Sequence, residues 1–323
     1  MISLLGGIFL GWSLGANDAS NVIGSAVESR MVKFGTAAVL ASAFVLLGAV
    51  LQGQSGIETL KGLTQITLKQ AVVSSLAAAI TVTLMTILGL PVSTSQAVIG
   101  AILGIGFLNR QLNVMGLGKV VACWFGTPLG GVVIAIVLYR LLAAIYNRLR
   151  INLFQSDVLL RLSLIAAVSY GAYSLGANNV ANVTAVFVGA GHLSQFAATS
   201  IGGLSIGFGI LTFSKRVMAT VGKRVVRLDS FSALVVLLAE AITVHFYTFV
   251  GVPVSTSQAV IGAILGIGIL KGINTVSWST LKNIVTGWFL TPVVACLLAI
   301  AIHFLIHLKY IPFCRPVLLL AVQ

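Results

Sequence analysis

Sixteen residues, PVSTSQAVIGAILGIG, occur twice without a change, at positions 91–106 and 253–268. A repeat of this length, 162 positions apart (253 minus 91), marks an internal duplication, so the chain is expected to fold as two related halves, 1–150 and 151–323. Each copy opens with Pro and a Ser-Thr-Ser run, the residue types that start helices. Each then continues as an apolar, Gly-rich segment without a charge. Such a start points hydroxyls and free backbone N–H groups at something negative.

The setting of the repeat is a membrane. Of 323 residues, 58% are hydrophobic and only 8% charged, where a soluble domain carries about a quarter. The apolar segments are of helix-spanning length, ~17–25 residues, rather than the ~10-residue alternating strands of a barrel. The expected fold is an all-α polytopic membrane protein of about 10–12 helical segments. A net charge of +13 would suggest nucleic acid as a partner for a soluble protein. Here the basic residues lie between apolar spans, where they set orientation, and no nucleic-acid partner is expected. Cys123, Cys296 and Cys314 show neither a Cys-x-x-Cys spacing nor a repeat relation, which argues against a metal or disulfide framework.

The other landmarks recur in order. GANDASN at 15–21 returns as GANNVAN at 176–182, and Trp124 with Thr127-Pro128 returns as Trp288 with Thr291-Pro292. The first apolar segment has no basic flank of the signal-peptide kind, and its SLGAN element reappears deep in the chain, so it reads as part of the mature fold. Treating residues 71–108 as a re-entrant hairpin, and 120–146 as one crossing, gives an odd number of crossings per half. The second half then enters the membrane upside down. The side holding Arg30, Lys33, Arg148, Arg150, Lys271 and the loop from Lys215 to Arg227 is the more basic. The positive-inside rule places it in the cytoplasm and both termini outside, in a multi-pass cell-membrane protein. Inverted repeats with broken helices point to a secondary transporter with its site near the midplane. Hairpins entering from opposite faces would bring both Ser-Thr-Ser tips to one centre.

The candidate anion site is Ser93, Thr94, Ser95 and Gln96 with Ser255, Thr256, Ser257 and Gln258, all hydroxyls and amides and no Lys or Arg. Two helix starts of roughly half a positive charge each suit a small multivalent anion but leave a dianion underneutralised. A co-transported cation would supply the difference. Asp18 lies inside an apolar segment, where a carboxylate is costly and usually functional. Asn17 and Asn21 add side-chain oxygens, and Gly15 is expected to let the helix unwind and free its carbonyls, as at a Na⁺ site. The second copy supplies Asn178, Asn179 and Asn182, with Asn179 where the first has the acid. Glu240, thirteen residues before Pro253, is the other intramembrane acid and a candidate coupling residue; the first half has Ala78 there. His245 is about 140° around the helix from it and does not form a dyad. The Gly100-xxx-Gly104 face reads as helix packing, and Trp124 and Trp288 as packing or interfacial residues.

The paired GANDASN and GANNVAN with the paired PVSTSQ resemble the inorganic phosphate transporter (PiT) family, across nearly the whole chain and in register. The resemblance implies secondary active uptake of phosphate, coupled to Na⁺ in many members and to H⁺ in others, by an inverted-repeat fold that is often dimeric. Carried over by motif, Asn17, Asp18, Asn21, Asn178, Asn179 and Asn182 would form the ion sites and the PVSTSQ residues would hold phosphate. It implies no enzyme activity and no cofactor beyond the transported Na⁺, with membrane lipid and a second copy as partners. Asn179 departs from the family's usual acid, which bears on the number of coupled ions.

Overall fold

The computed structural model describes residues 2–87, 92–221, 228–272 and 278–308. Pro91, Lys223, Arg224, Arg227, Cys314 and Gln323 lie outside these. Among the described residues the chain is helical throughout. The helices are α1 (Leu5–Glu28), α2 (Phe34–Gln52), α3 (Gln54–Lys61), α4 (Leu68–Ile87), α5 (Thr94–Asn109), α6 (Val114–Arg148), α7 (Leu153–Gly189), α8 (Gln195–Val221), α9 (Ser230–Val250), α10 (Thr256–Lys271) and α11 (Trp278–Leu308). A 3-10 turn precedes α1. Seven of them, α2, α4, α6, α7, α8, α9 and α11, contain stretches long and apolar enough to cross a membrane.

The sequence placed helix breaks at the two Asn-rich motifs and at the two PVSTSQ starts. Only the second pair is broken. α1 and α7 run without interruption through GANDASN and GANNVAN. Their glycines serve a different purpose: a Cβ on Gly15 would lie 2.0 Å from the Ile206 carbonyl oxygen, and one on Gly176 2.0 Å from that of Val45. These glycines let α1 cross α8, and α7 cross α2, backbone against backbone, while the helical hydrogen bonds stay intact. The charged stretch around Glu58 and Lys61 forms the short helix α3. The long apolar run after Lys119 is one helix, with Pro128 inside it and Thr127 Oγ1 donating to Cys123 O at 2.6 Å. Thirty-five residues make it about 52 Å long.

α4 and α5 form a hairpin closed at its base, because Gln70 Nε2 at the start of α4 donates to Asn109 Oδ1 at the end of α5, at 2.8 Å. α9 and α10 form the second, closed by an ion pair between Asp229 and Lys271. Position 109 plus 162 is 271, so Asn109 and Lys271 correspond, whereas their partners Gln70 and Asp229 do not. The two open toward opposite ends of α6. The first base lies at the start of α6, where Asn113 N donates to Leu63 O at 2.9 Å. The second lies at its far end, where Phe231 packs on Tyr139 and Tyr146.

Asp229 also caps α9, accepting from Ser232 N at 2.9 Å. Burial opposes its charge, yet Lys271 and Ser232 outweigh that and bring its pKa down to about 2 from 3.8. A lowered pKa means stabilisation that is present above about pH 4 and lost as pH falls through about 2. Asp229→Asn is therefore expected to lower the melting temperature at neutral pH by roughly 1–3 °C, since a half-exposed pair contributes little. The deficit should shrink below about pH 3 in a thermal series.

The packing repeats under exchange of the halves. α1 packs on α8 as α7 does on α2, and α5 on α11 as α10 does on α6. The glycine faces read as packing residues do pack: Cβ atoms on Gly100 and Gly104 would meet Pro292 O and Cys296 O at 2.2 and 2.7 Å, and on Gly262 and Gly266 Pro128 O and Val132 O at 2.1 and 2.7 Å. α6 leaves an apolar stripe exposed, Phe125, Leu129, Val133, Val137, Leu141 and Ile145.

Candidate functional site

The two hairpin tips meet. Ser95 Oγ lies 2.8 Å from Val254 O, and Ser257 Oγ 3.2 Å from Val92 O. Adding 162 to the first-half residue of either contact and subtracting it from the second-half residue gives the other. Ser93 and Ser255 cap α5 and α10, each side chain accepting from the amide of Gln96 or Gln258 at 3.3 Å. After each cap the first helical amides, at Thr94 and Ser95 and at Thr256 and Ser257, have no acceptor within their own helix. The α9 end of the second tip turns through Gly251 with φ +75°, a left-handed conformation that favours glycine.

All eight PVSTSQ residues proposed from the sequence are buried, as are Asn17, Asp18, Asn178, Asn179 and Asn182; Asn21 is half-buried. Asp18 touches both tips: Thr94 Oγ1 lies 3.4 Å from its Oδ1, and Thr256 also donates to the carboxylate. Asn17 Nδ2 donates to Asp18 Oδ1 at 2.8 Å, and Asn21 Nδ2 to Thr256 Oγ1 at 3.2 Å. On the other side Asn182 Nδ2 bridges Ser95 Oγ at 2.9 Å and Asn179 Oδ1 at 2.8 Å. Asn178 is spent on bracing the second tip, accepting from Val254 N at 2.8 Å and donating to Val252 O at 3.1 Å. Its counterpart Asn17 accepts from Thr86 at 3.2 Å, as Asn178 donates to Thr248 at 3.3 Å.

Several buried atoms here lack any partner: Gln96 Oε1, Gln258 Oε1, Asn179 Nδ2, Asn182 Oδ1, and the indole Nε1 of Trp124 and Trp288. A buried polar atom without a hydrogen bond costs ~1–3 kcal/mol, so a cluster of them marks a place that a polar ligand completes. Trp124 and Trp288 pack against the hydrophobic clusters, as the sequence reading expects, while their Nε1 atoms stay unpartnered. Gly262 faces Pro128 and Gly266 faces Val132, so α10 and α6 run parallel, one turn for one turn. One turn back along both, Gln258 is level with Trp124. The same step on α5 and α11 sets Gln96 level with Trp288. Each level pairs an orphan acceptor with an orphan donor. Trp124-x-x-Thr127-Pro128 recurs as Trp288-x-x-Thr291-Pro292, so both levels are built from the same residues.

His245 is held by Tyr170 OH at 2.9 Å and Gln52 Oε1 at 2.7 Å, and packs on Phe249, apart from these motifs.

The sequence profile of the Phosphate transporter family matches residues 14–299. The chain belongs to the phosphate transporter family. Within this family it is 30% identical over 302 residues to a provisionally named phosphate permease of Methanocaldococcus jannaschii, covering 94% of this chain and 96% of that one. It is also 28% identical to the sulfate permease CysP of Bacillus subtilis, over 90% of this chain and 84% of that one. A solved structure described as the sodium-dependent phosphate transporter superposes with a TM-score of 0.84 at 22% identity, covering 95% and 98% of the two chains, which shows a common fold. This phosphate transporter family member is thus a multi-pass helical membrane protein and a transporter rather than an enzyme.

Proposed function

We propose that the protein imports inorganic phosphate by Na⁺ symport across the cell membrane, binding it between the two hairpin tips near the midplane. The observation that carries this reading is the meeting of two identical helix starts around buried groups without partners. Phosphate oxygens would accept from the first-turn amides of α5 and α10, the Thr94 and Thr256 hydroxyls and the two indole N–H groups. Ser95 and Ser257 already bond the opposite tip, and their part is to hold the two starts together. No described Lys or Arg forms an ion pair with Asp18. A Na⁺ ion on Asp18, with side-chain oxygens of Asn17, Asn21, Asn179 and Asn182, would neutralise the carboxylate, which would otherwise repel the substrate. With α1 and α7 unbroken, those ligands are side chains and not freed backbone carbonyls.

A sulfate-carrying relative raises sulfate as a second substrate. Hydrogen phosphate carries a proton that the orphan acceptors Gln96 Oε1 and Gln258 Oε1 can take, and sulfate has none to offer, which favours phosphate. The deciding experiment is radiolabelled phosphate uptake into proteoliposomes with Na⁺ and pH gradients imposed separately, and with sulfate and arsenate as competitors. Uptake driven by inward Na⁺ and resistant to sulfate is expected. Uptake driven only by a pH gradient would transfer the coupling to H⁺, and gradient-independent flux would make the protein an anion channel.

The same reading holds that halves 1–150 and 151–323 are inverted repeats, with both termini outside and the basic stretch from Lys215 to Arg227, whose described part is the last turns of α8 rather than a loop, in the cytoplasm. The exposed stripe on α6 would contact lipid or a second copy in a homodimer. A cysteine at the exposed Lys215 is expected to resist an impermeant thiol reagent in intact cells, while one at Lys119, also exposed, reacts. The reverse pattern refutes the orientation.

A further inference from the structure

Glu240 is 1% exposed, and its Oε2 has no hydrogen-bond partner. Packing does not require an acid there, because the corresponding position of the first half is Ala78, equally buried. α9 packs against α1, α3, α6, α7 and α10, and the basic groups on these helices are engaged or out of reach. Lys61 pairs with Glu58, Arg161 with Asp157 and Lys271 with Asp229. Lys119 donates to Val250 O at 2.9 Å, and Arg110, Arg140 and Arg148 are exposed at or beyond helix ends or on the outer face. The other buried carboxylate on these helices is Asp18 of α1. Of the other acids on these helices, Glu28 lies at the open end of α1 and Tyr170 is bound to His245.

The position of Glu240 is equally specific. A Cβ on Gly171 of α7 would lie 3.3 Å from Val22 of α1 and 3.9 Å from Ala241 of α9, so Glu240 stands about one turn along α1 from Asp18. At that level α1 carries a polar stripe, Asp18, Asn21, Ser25 and Glu28, spaced to share one face. Burial falls along it, from buried Asp18 through half-buried Asn21 and Ser25 to exposed Glu28. The corresponding positions on α7 are Asn179, Asn182, Val186 and Gly189, and Val186 closes that face at 4% exposure. Only the α1 face offers a graded polar way in.

We propose that Glu240 holds a second transported monovalent cation, Na⁺ or H⁺, taken up along the α1 stripe, in place of an acid at position 179. This rests on the coupled-transport reading above and adds a count to it. Two buried carboxylates without basic partners need two positive charges, and a lone ion on Asp18 would leave Glu240 charged in a membrane interior.

The test reads the count directly. Phosphate accumulation at equilibrium in proteoliposomes is measured against the imposed Na⁺ ratio at equal pH, and against the proton ratio at equal Na⁺, for wild type, Glu240→Gln and Glu240→Ala. The slope of log accumulation on log gradient is the number of ions carried. One slope is expected to fall by one in both variants, the Na⁺ slope if the second ion is Na⁺ and the proton slope if it is H⁺. Slopes equal to wild type in both would overturn the proposal. Should a variant bind phosphate but not transport it, the count is taken from the cation dependence of binding in detergent, where an unchanged Hill slope would equally overturn it. Absence of gradient-driven uptake in wild type would instead refute the transport reading beneath it. Glu240→Ala copies the residue the other half already folds with, which guards against misfolding.

Discussion

Asp18→Asn is expected to lower the apparent Na⁺ affinity of phosphate uptake by about tenfold or more. A hydrogen bond or ion contact to a charged group is worth ~1.5–3 kcal/mol, and 1.4 kcal/mol is one decade. The substitution keeps the shape of the side chain and the donors of Asn17, Thr94 and Thr256 around it, so packing is preserved while the charge is lost. Phosphate affinity should fall with it at low Na⁺ and recover at high Na⁺, because a ligand that binds the ion-loaded state loses apparent affinity when that state is depleted. The check is uptake against Na⁺ concentration at several phosphate levels. Wild-type Na⁺ dependence in the Asp18→Asn protein would remove this side chain from the ion site.

The largest loss of stability is expected at the glycine crossings. A Cβ on Gly262 would sit 2.1 Å from the Pro128 carbonyl oxygen, and one on Gly100 2.2 Å from that of Pro292. Backbone oxygens of a helix cannot turn aside, so α10 and α6, or α5 and α11, must separate by about 1 Å. Overpacking of this kind costs ~1–3 kcal/mol for a small addition and more for a branched one. Gly262→Val and Gly100→Val are each expected to abolish a monodisperse peak in detergent, and Gly262→Ala to lower the melting temperature by several degrees. The control is Gly118→Ala, where nothing lies within 4 Å of the new atom and no change is expected.

Much of this was legible in the residues because the duplication reports itself. Sixteen identical positions located both tips, and Ser93 and Ser255 cap their helices as Ser before an apolar helix should. The hairpin geometry needed a base contact, and Gln70 with Asn109 and Asp229 with Lys271 are dissimilar pairs that no repeat pattern links. The unwinding read at Gly15 failed because a glycine in a helix has two explanations, and the chain alone does not say which. A crossing partner at 2.0 Å requires glycine as firmly as a broken backbone does. Trp124 and Trp288 read as packing or interfacial residues and do pack, and only the register of α6 on α10 and α11 on α5 brings them level with Gln258 and Gln96. Asn178 stands in the motif as an expected ion ligand, and what its sequence did not announce is that its amide also braces the second tip through Val252 and Val254.

The central claim, that one phosphate is held jointly by two helix starts kept together by Ser95 and Ser257, is tested by equilibrium phosphate binding in detergent at saturating Na⁺. Ser95 Oγ contacts Val254 O, Asn179 and Asn182, and Ser257 Oγ contacts Val92 O, so removing either hydroxyl loosens the same junction from opposite sides. Ser95→Ala and Ser257→Ala are each predicted to raise the phosphate Kd by about tenfold or more, with the double variant well short of the product of the two, since contacts at one junction do not add independently. A Kd unchanged in both single variants, with each protein folded and monodisperse, would contradict the account.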